Sequence, residues 1–525
     1  MAATITHAPG APPASTPEPR LPPGPRMPAA VQTLIWALAP TWMMDRCARA
    51  LGEAFTLTFA PSGLKLTMVS DPQAVKTVFT APPDVAPSAA GMSPLAPVMG
   101  RSSVLVLTGP EHMRQRKLLL PPFHGERMRE YEDVIVEATK HDMASWPLGK
   151  PMRLQRHTRL ITLEVILRAV FGVDAERMQP LKDAIGDLFE PVGVLAVLRA
   201  VMSRPTGERP TGAIGRALDR LDALIYAEIE RRRGERDLQQ RPDILSLLLL
   251  ARDDDGEPMT DAELRDELVT LLLAGHETTA TSVAWAVERL VRHPDKLARL
   301  IAEIDGVGTG ADRGEDEDEG EGEGEGRGGG GDEYMTAVVN ETLRVRPVVP
   351  LVVRMLTQEL QVGPYALPAG TRVVPSIYLT NRNPRVYERP GEFLPERFLD
   401  ASGTQATNSF SWIPFGGGIR RCIGASFALL EMKVMLRTML SELEPRLPSQ
   451  QGPLDALRGG GRSGERITRR AITLVPARGA SMVWERRHAG VSGAGARAGA
   501  GAGAGAGTQA QGASAVPLAG ESVSR

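Results

Sequence analysis

The chain has 525 residues, with 61 lysine and arginine side chains against 63 aspartate and glutamate, for a formal net charge of −2. So even a balance argues against a nucleic-acid binder that depends on bulk attraction to phosphate. The two cysteines, Cys47 and Cys422, form neither a disulfide framework nor a paired-cysteine metal motif, and they suit a reducing cytoplasm.

Residues 1–27 are rich in proline, alanine and threonine and read as a disordered leader without the apolar core of a secretory signal. The apolar stretch Val31 to Ala39 is interrupted by Gln32 and Thr33 and closed by Pro40. It falls short of the roughly 20 residues that span a bilayer, so no membrane anchor and a soluble protein are expected. From residue 28 to about 305 the pattern is mostly helical. The clearest element opens with Thr260-Asp261-Ala262-Glu263, a capping box, and continues apolar to His293-Pro294. About 30 residues at a 1.5 Å rise make about 45 Å, enough to cross a domain. Short β-favouring runs occur at Thr56–Phe59, Leu64–Val69, Arg372–Pro375 and Ile472–Val475. The expected class is therefore mainly α with a minor β-sheet. Residues 306–332, acidic and glycine-rich, read as a surface insertion between two helices within one domain of residues 28–489. Residues 490–525, rich in Gly-Ala repeats, read as a disordered tail.

Four groups of residues carry chemistry. Phe415-Gly416-Gly417-Gly418-Ile419-Arg420-Arg421-Cys422-Ile423-Gly424 places one thiol after a glycine-rich turn, with two arginines to favour the thiolate. Within the long helix, Ala274-Gly275-His276-Glu277-Thr278-Thr279 sets a carboxylate beside a hydroxyl where small residues open a groove. A zinc-protease HExxH is excluded because position 280 is Ala280. Glu341 and Arg344 are neighbours on one helix face, followed by Arg354 and Arg397. His112 and Arg116 share a helix side at i, i+4. By contrast, Gly306-Val307-Gly308-Thr309-Gly310 follows a helix and not a strand, so it is weak as a dinucleotide loop. Arg231-Arg232-Arg233 reads as an exposed helix end.

The Phe-x-x-Gly-x-Arg-x-Cys-x-Gly pattern at Phe415, Gly418, Arg420, Cys422 and Gly424 resembles the haem-ligand signature of the cytochrome P-450 superfamily, the haem-thiolate monooxygenases. The Ala274–Thr279 segment is similar to that family's oxygen-activation motif, and Glu341, Arg344 and Arg397 to its buried ion-pair triad. Asn381-Arg382-Asn383-Pro384 departs from the family's usual His-Arg-Asp-Pro. The resemblance implies haem b with Cys422 as axial ligand to iron, and His112, Arg116, Arg354 and Arg420 at the propionates. It implies Thr278 facing dioxygen and Glu277 relaying protons. The implied reaction inserts one oxygen atom into a lipophilic substrate, such as a fatty acid, terpenoid, steroid or polyketide. Electrons come from a separate ferredoxin or flavodoxin with an NAD(P)H-dependent reductase, docking on cations at Arg114, Lys117 and Arg421. The alternatives are a peroxygenase using hydrogen peroxide, or a non-catalytic haem sensor or carrier. The apolar lining is expected near Ala86–Val104, Pro191–Thr211, Thr270–Ala274, Val348–Val352 and Ser481-Met482.

Overall fold

The computed structural model describes residues 21–89, 96–123, 127–172, 175–189, 209–309, 332–399, 410–448 and 464–487. Most of the acidic insertion, the region 191–208 and the Gly-Ala tail lie outside the described residues. Residues 21–27, expected to belong to the leader, lie within the described residues and pack in part on the fold. Pro22 is buried, and the Thr56 N–H donates to the Pro23 carbonyl at 3.0 Å. A proline-rich segment loses little chain entropy on ordering, and the edge of a sheet offers it an unpaired N–H.

Helices α1 (Ala29–Leu38) and α2 (Pro40–Leu51) cover the hairpin of β1 (Ala54–Phe59) and β2 (Leu64–Val69). Trp36, Met43, Met44 and Cys47 pack there on Phe55, Leu57 and Phe59. The helical body follows as α3 (Pro72–Thr80), α4 (Gly109–Leu119), α5 (Arg127–Met143), the short strand β3 (Pro151–Arg153), α6 (Leu154–Phe171) and α7 (Ala175–Phe189). After the undescribed segment come α8 (Gly212–Arg233), α9 (Ile244–Leu250) and the long α10 (Asp261–Val291). The capping box is formed: Thr260 Oγ1 accepts from Glu263 N–H, and Glu263 Oε2 accepts from Thr260 N–H at 2.8 Å. Helix α10 runs through the largest apolar cluster and packs most extensively on α6.

Helices α11 (Pro294–Thr309) and α12 (Glu333–Val345) flank the acidic insertion, whose first residues are thus helical and not loop. The ends are tied together. Glu303 accepts from Tyr334 N–H and Met335 N–H at 2.7 and 2.8 Å, Arg299 stacks on the Tyr334 ring, and Asp332 pairs with Arg437. Strands β4 (Arg354–Met355), the hairpin β5 (Leu360–Val362) and β6 (Tyr365–Leu367), and β7 (Arg372–Pro375) come next. The main sheet has the order β1-β2-β7-β4, with β2 parallel to β7 and Arg354 paired to Val373. The chain closes with α13 (Ala425–Glu442), β8 (Leu443–Arg446), the hairpin β9 (Ile467–Arg470) and β10 (Thr473–Pro476), and β11 (Ser481–Arg486). Among the described residues no helix is long and apolar enough to cross a membrane.

Arg232 corrects the reading of the arginine run. It has no solvent exposure and is bound by Glu228, Asp243, Ser246 and the Phe171 carbonyl. Only its neighbours fit a helix end: Arg233 pairs with Asp261 at the surface.

Candidate functional site

Cys422 sits on a loop folded against the end of α3. Gly416 and Gly418 adopt φ values of 74° and 65°, which cost L-residues roughly 1–2 kcal/mol. A Cβ on Gly418 would run into the Phe79 carbonyl, and one on Gly417 would lie 2.7 Å from the Phe79 ring. The Cys422 N–H donates to the Phe415 carbonyl at 3.0 Å, which closes the loop across its glycines. The residue has accessible surface. Burial pushes its thiol pKa up, and the Gly424 N–H, Arg116 and Arg421 pull it back only in part. The flanking arginines alone therefore do not secure the thiolate. A coordinated metal cation would, since it deprotonates a ligating thiol outright.

Arg116 joins this thiol to a cluster of cations. It acts electrostatically on Cys422, on His112 and on Arg420. Burial, then Arg420, Arg116 and Arg354, hold the His112 imidazole down at about 4, so it is neutral near pH 7. Arg354 and Arg420 are lowered to about 10, chiefly by burial. Among the described residues no carboxylate pairs with Arg116, Arg354 or Arg420. Arg420 instead donates to the carbonyls of Leu107 and Val104, and Arg354 lies over the Phe79 ring at 5.7 Å. One buried guanidinium, Arg354, two half-buried ones, Arg116 and Arg420, and a buried neutral imidazole donor, with no acid paired to them among the described residues, make a site for an anion.

Helix α10 presents a narrow face of Leu271, Ala274 and Thr278. Ala274 is exposed between the half-buried Leu273 and Gly275, with Leu272 and His276 buried one position further out on each side. Gly275 plays another part than opening that groove. Its missing side chain admits α6, since a Cβ there would lie 3.2 Å from Ile166 Cδ1. Two α6 hydroxyls secure the same contact, with Thr162 donating to the His276 carbonyl at 2.8 Å and Thr158 to that of Ala280 at 2.9 Å. Thr278 donates back to the Ala274 carbonyl at 2.7 Å. Glu277 turns from this face into ion pairs with Arg159 (2.7 Å) and Arg470 (3.8 Å). His276 is buried, bonded to the Leu272 carbonyl and lowered by burial to about 4, a structural neutral histidine.

The ion-pair triad is assembled. Glu341 receives Arg344 Nε and Nη2 at 2.6 and 2.8 Å, the Leu394 N–H at 2.8 Å and Arg397 Nε at 3.5 Å. Both Glu341 and Arg344 have no exposure. The variant Asn381 is used well: its Oδ1 accepts from Ile413 N–H and its carbonyl from Arg344, joining the triad to the stretch before Cys422.

A family model described as Cytochrome P450 matches residues 22–465. The chain belongs to the cytochrome P450 family. It is 39% identical over 461 residues to cytochrome P450 135B1 of Mycobacterium tuberculosis, covering 88% of this chain and 90% of that one. It is 34% identical over 493 residues to cytochrome P450 138 of Mycobacterium bovis, covering 93% and 100%. The fold matches the retinoic acid-bound cyanobacterial CYP120A1, with a TM-score of 0.70 and 22% identity over 90% of this chain and 100% of that one. It also matches the cytochrome P450DA haem domain, with a TM-score of 0.72 and 21% identity over 89% and 98%. As a cytochrome P450 the protein is an oxidoreductase, a haem-thiolate monooxygenase. The residues fit that cofactor, with one soft thiol donor and, through Arg116, a cationic cluster suited to two carboxylates.

Two features of the site differ from the sequence expectation. Arg114 is held by Asp253 and Glu263, and Lys117 pairs with Asp254, so two of the three cations expected to dock a redox partner already face carboxylates. The partners of Glu277, Arg159 and Arg470, were not foreseen, because they lie more than 100 residues away in both directions. Of the expected lining, Thr270 is spent on Ser103 and Met482 is buried, while Val349 and Val352 remain partly exposed.

Proposed function

We propose that the protein hydroxylates or epoxidises a lipophilic small molecule with electrons from a separate ferredoxin or flavodoxin and its NAD(P)H-dependent reductase. The observation that carries the reading is Arg116, which sets the Cys422 thiol and an anion-binding cluster within reach of one another. The cofactor is haem b, iron protoporphyrin IX, held without covalent attachment. The other cysteine, Cys47, is buried in a different apolar cluster, which leaves no cysteine pair for thioether links. Cys422 is the iron ligand, with Phe415, Gly418 and Gly424 shaping its loop. Arg116, Arg354, Arg420 and neutral His112 hold the propionates.

Haem, when bound, supplies dioxygen activation and oxygen insertion. The chain's own residues bind and orient. Leu271, Ala274, Val349 and Val352 offer an apolar wall for a lipophilic molecule, and Thr278 is the hydroxyl on the accessible face of α10. Glu341, Arg344 and Arg397 keep the segment before Cys422 in place. The cytoplasm is the proposed compartment. The test is the ferrous–carbon monoxide spectrum of the wild type and of Cys422→Ala. The wild type should show the red-shifted Soret band of thiolate ligation, and the variant should lose it. A wild type without that band refutes the reading. A panel of fatty acids, terpenes and steroids screened for haem spin-state shifts then tests the substrate class.

A further inference from the structure

Helix α1 inverts the usual pattern of a surface helix, which keeps its apolar stripe inside and its polar face outside. Its polar residues Gln32 and Thr33 are buried, and they serve the edge of the main sheet, where β1 is the terminal strand. Gln32 Oε1 accepts from Thr58 N–H and Thr33 Oγ1 from Ala60 N–H, both at 2.9 Å. An edge strand presents such unpaired donors, so the polar side of α1 is committed inward, together with Trp36. The remaining apolar residues meet solvent. Val31, Leu34 and Leu38 are 42%, 54% and 64% exposed and fall on one face at i, i+3 and i+7. The helix carries no charged residue. Among the described residues no other helix bears more than one exposed large apolar side chain.

Helix α2 adds charge beside this face. Trp42 is 47% exposed, and Arg46 and Arg49 follow at i+4 and i+7 on the same side of the helix, both exposed. The Arg46 guanidinium lies 5.7 Å from the centre of the Trp42 ring. Arg26, shortly before α1, is exposed as well. Between residues 21 and 52 these three arginines are the exposed charges. The one acid in that stretch, Asp45, is half-buried and accepts from the Tyr378 hydroxyl at 3.0 Å.

We propose that α1 and the start of α2 form a docking face for an anionic phospholipid bilayer, on which the protein lies without crossing it. At 10 residues α1 is about half the length that spans a bilayer, so it rests along the surface. The acyl boundary takes Leu34 and Leu38, the interface takes the Trp42 indole, and the headgroups take the guanidiniums. A second copy of this chain fits the face less well. A two-fold contact would set the same patch against itself, bringing Arg46 and Arg49 towards their own copies, whereas each cation near an anionic lipid surface strengthens binding about fivefold. The proposal needs neither turnover nor thiolate ligation, so it stands or falls apart from the functional reading above.

The test is co-sedimentation of the full-length protein with vesicles of phosphatidylcholine alone and of phosphatidylcholine mixed with phosphatidylglycerol. The wild type should bind the anionic vesicles more tightly than the neutral ones, and the binding should weaken as salt rises. Leu34→Ser with Leu38→Ser should bind more than about tenfold more weakly. Arg46→Glu with Arg49→Glu should lose the preference for anionic lipid. Leu148→Ser with Val386→Ser, which removes two exposed apolar side chains elsewhere, should bind as the wild type does. Brominated acyl chains should quench part of the tryptophan fluorescence, and Trp42→Phe should remove that quenching. Circular dichroism and urea midpoints matching the wild type establish that each variant is folded. A wild type that stays in the supernatant, or binding that survives Leu34→Ser with Leu38→Ser, overturns the proposal. Quenching that persists in Trp42→Phe puts a different face on the lipid and overturns it too. A concentration-dependent dimer in sedimentation velocity that the two leucine substitutions dissolve, with no vesicle bound, overturns it in favour of a second copy.

Discussion

Replacing Glu341 by alanine removes the centre of the buried triad. The substitution deletes the two short bonds from Arg344, the weaker one from Arg397 and the acceptor of the Leu394 N–H. Arg344 keeps the carbonyls of Asn381, Pro390 and Glu392 and the face of Tyr387. Those are dipoles and a ring, and the guanidinium still has no solvent to replace its counter-charge. Stranding one charge of a buried pair costs about 3–5 kcal/mol, and an unsatisfied buried N–H adds about 1–3 kcal/mol. Set against a typical stability of about 5–15 kcal/mol, that loss is about a quarter or more. The assay is urea denaturation followed by tryptophan fluorescence, together with haem bound per chain. Trp412, whose Nε1 donates to the Asn340 carbonyl beside Glu341, reports locally. The double variant Glu341→Leu with Arg344→Met removes both charges and should recover most of the loss. A single variant that loses less than about 1 kcal/mol, or a double variant no better than the single, would refute the argument.

Three further outcomes follow from the geometry. Burial and the nearby Asp266 and Glu263 push Glu267 up to about 9, against the pull of the Val104 N–H. Its folded pKa exceeds its unfolded value, so the folded state binds more protons between about pH 4.5 and pH 9 and loses stability as pH rises through that window. Glu267→Gln should remove about 1.4 kcal/mol per pH unit of that decline, read as urea midpoints at several pH values. An unchanged slope contradicts this. Gly418→Ala sets a side chain against the Phe79 carbonyl at positive φ, so haem retention on gel filtration should fall sharply, while Gly363→Ala, also at positive φ but with open space around it, should retain haem. Arg232→Met removes the fully buried cation shared by Glu228 and Asp243, leaving them only the more exposed Arg231 and Arg241. It should cost about 3–5 kcal/mol in the same denaturation assay, whereas a loss near zero would mean that solvent reaches the site.

Local signals were readable in the sequence and long-range partners were not. The cap at Thr260 and the strand Leu64–Val69 depend on residues within a few positions, and the structure has both where the pattern places them. The Cys422 loop is similarly local, because its glycines and its thiol are contiguous. Arg232 looked exposed because its neighbours are charged, yet its partners Asp243 and Phe171 reach it only through the fold. Arg114 looked available for the same reason, since Asp253 arrives from 139 positions away. The phase of α10 was also hidden. An apolar helix packed on several sides does not announce that Ala274 is exposed and Gly275 faces Ile166.

The fastening of α11 to α12 makes the segment between them a natural port for added sequence. Glu303, Arg299 and the Asp332–Arg437 pair, all outside residues 310–331, hold both ends in register. The entropy of closing a flexible loop grows only by about 0.6 kcal/mol for each doubling of its length. A foreign domain inserted there meets an anchor already built, remote in sequence from Cys422. The same chain could thus carry its own electron-transfer module as a graft, with the fold bearing little of the cost.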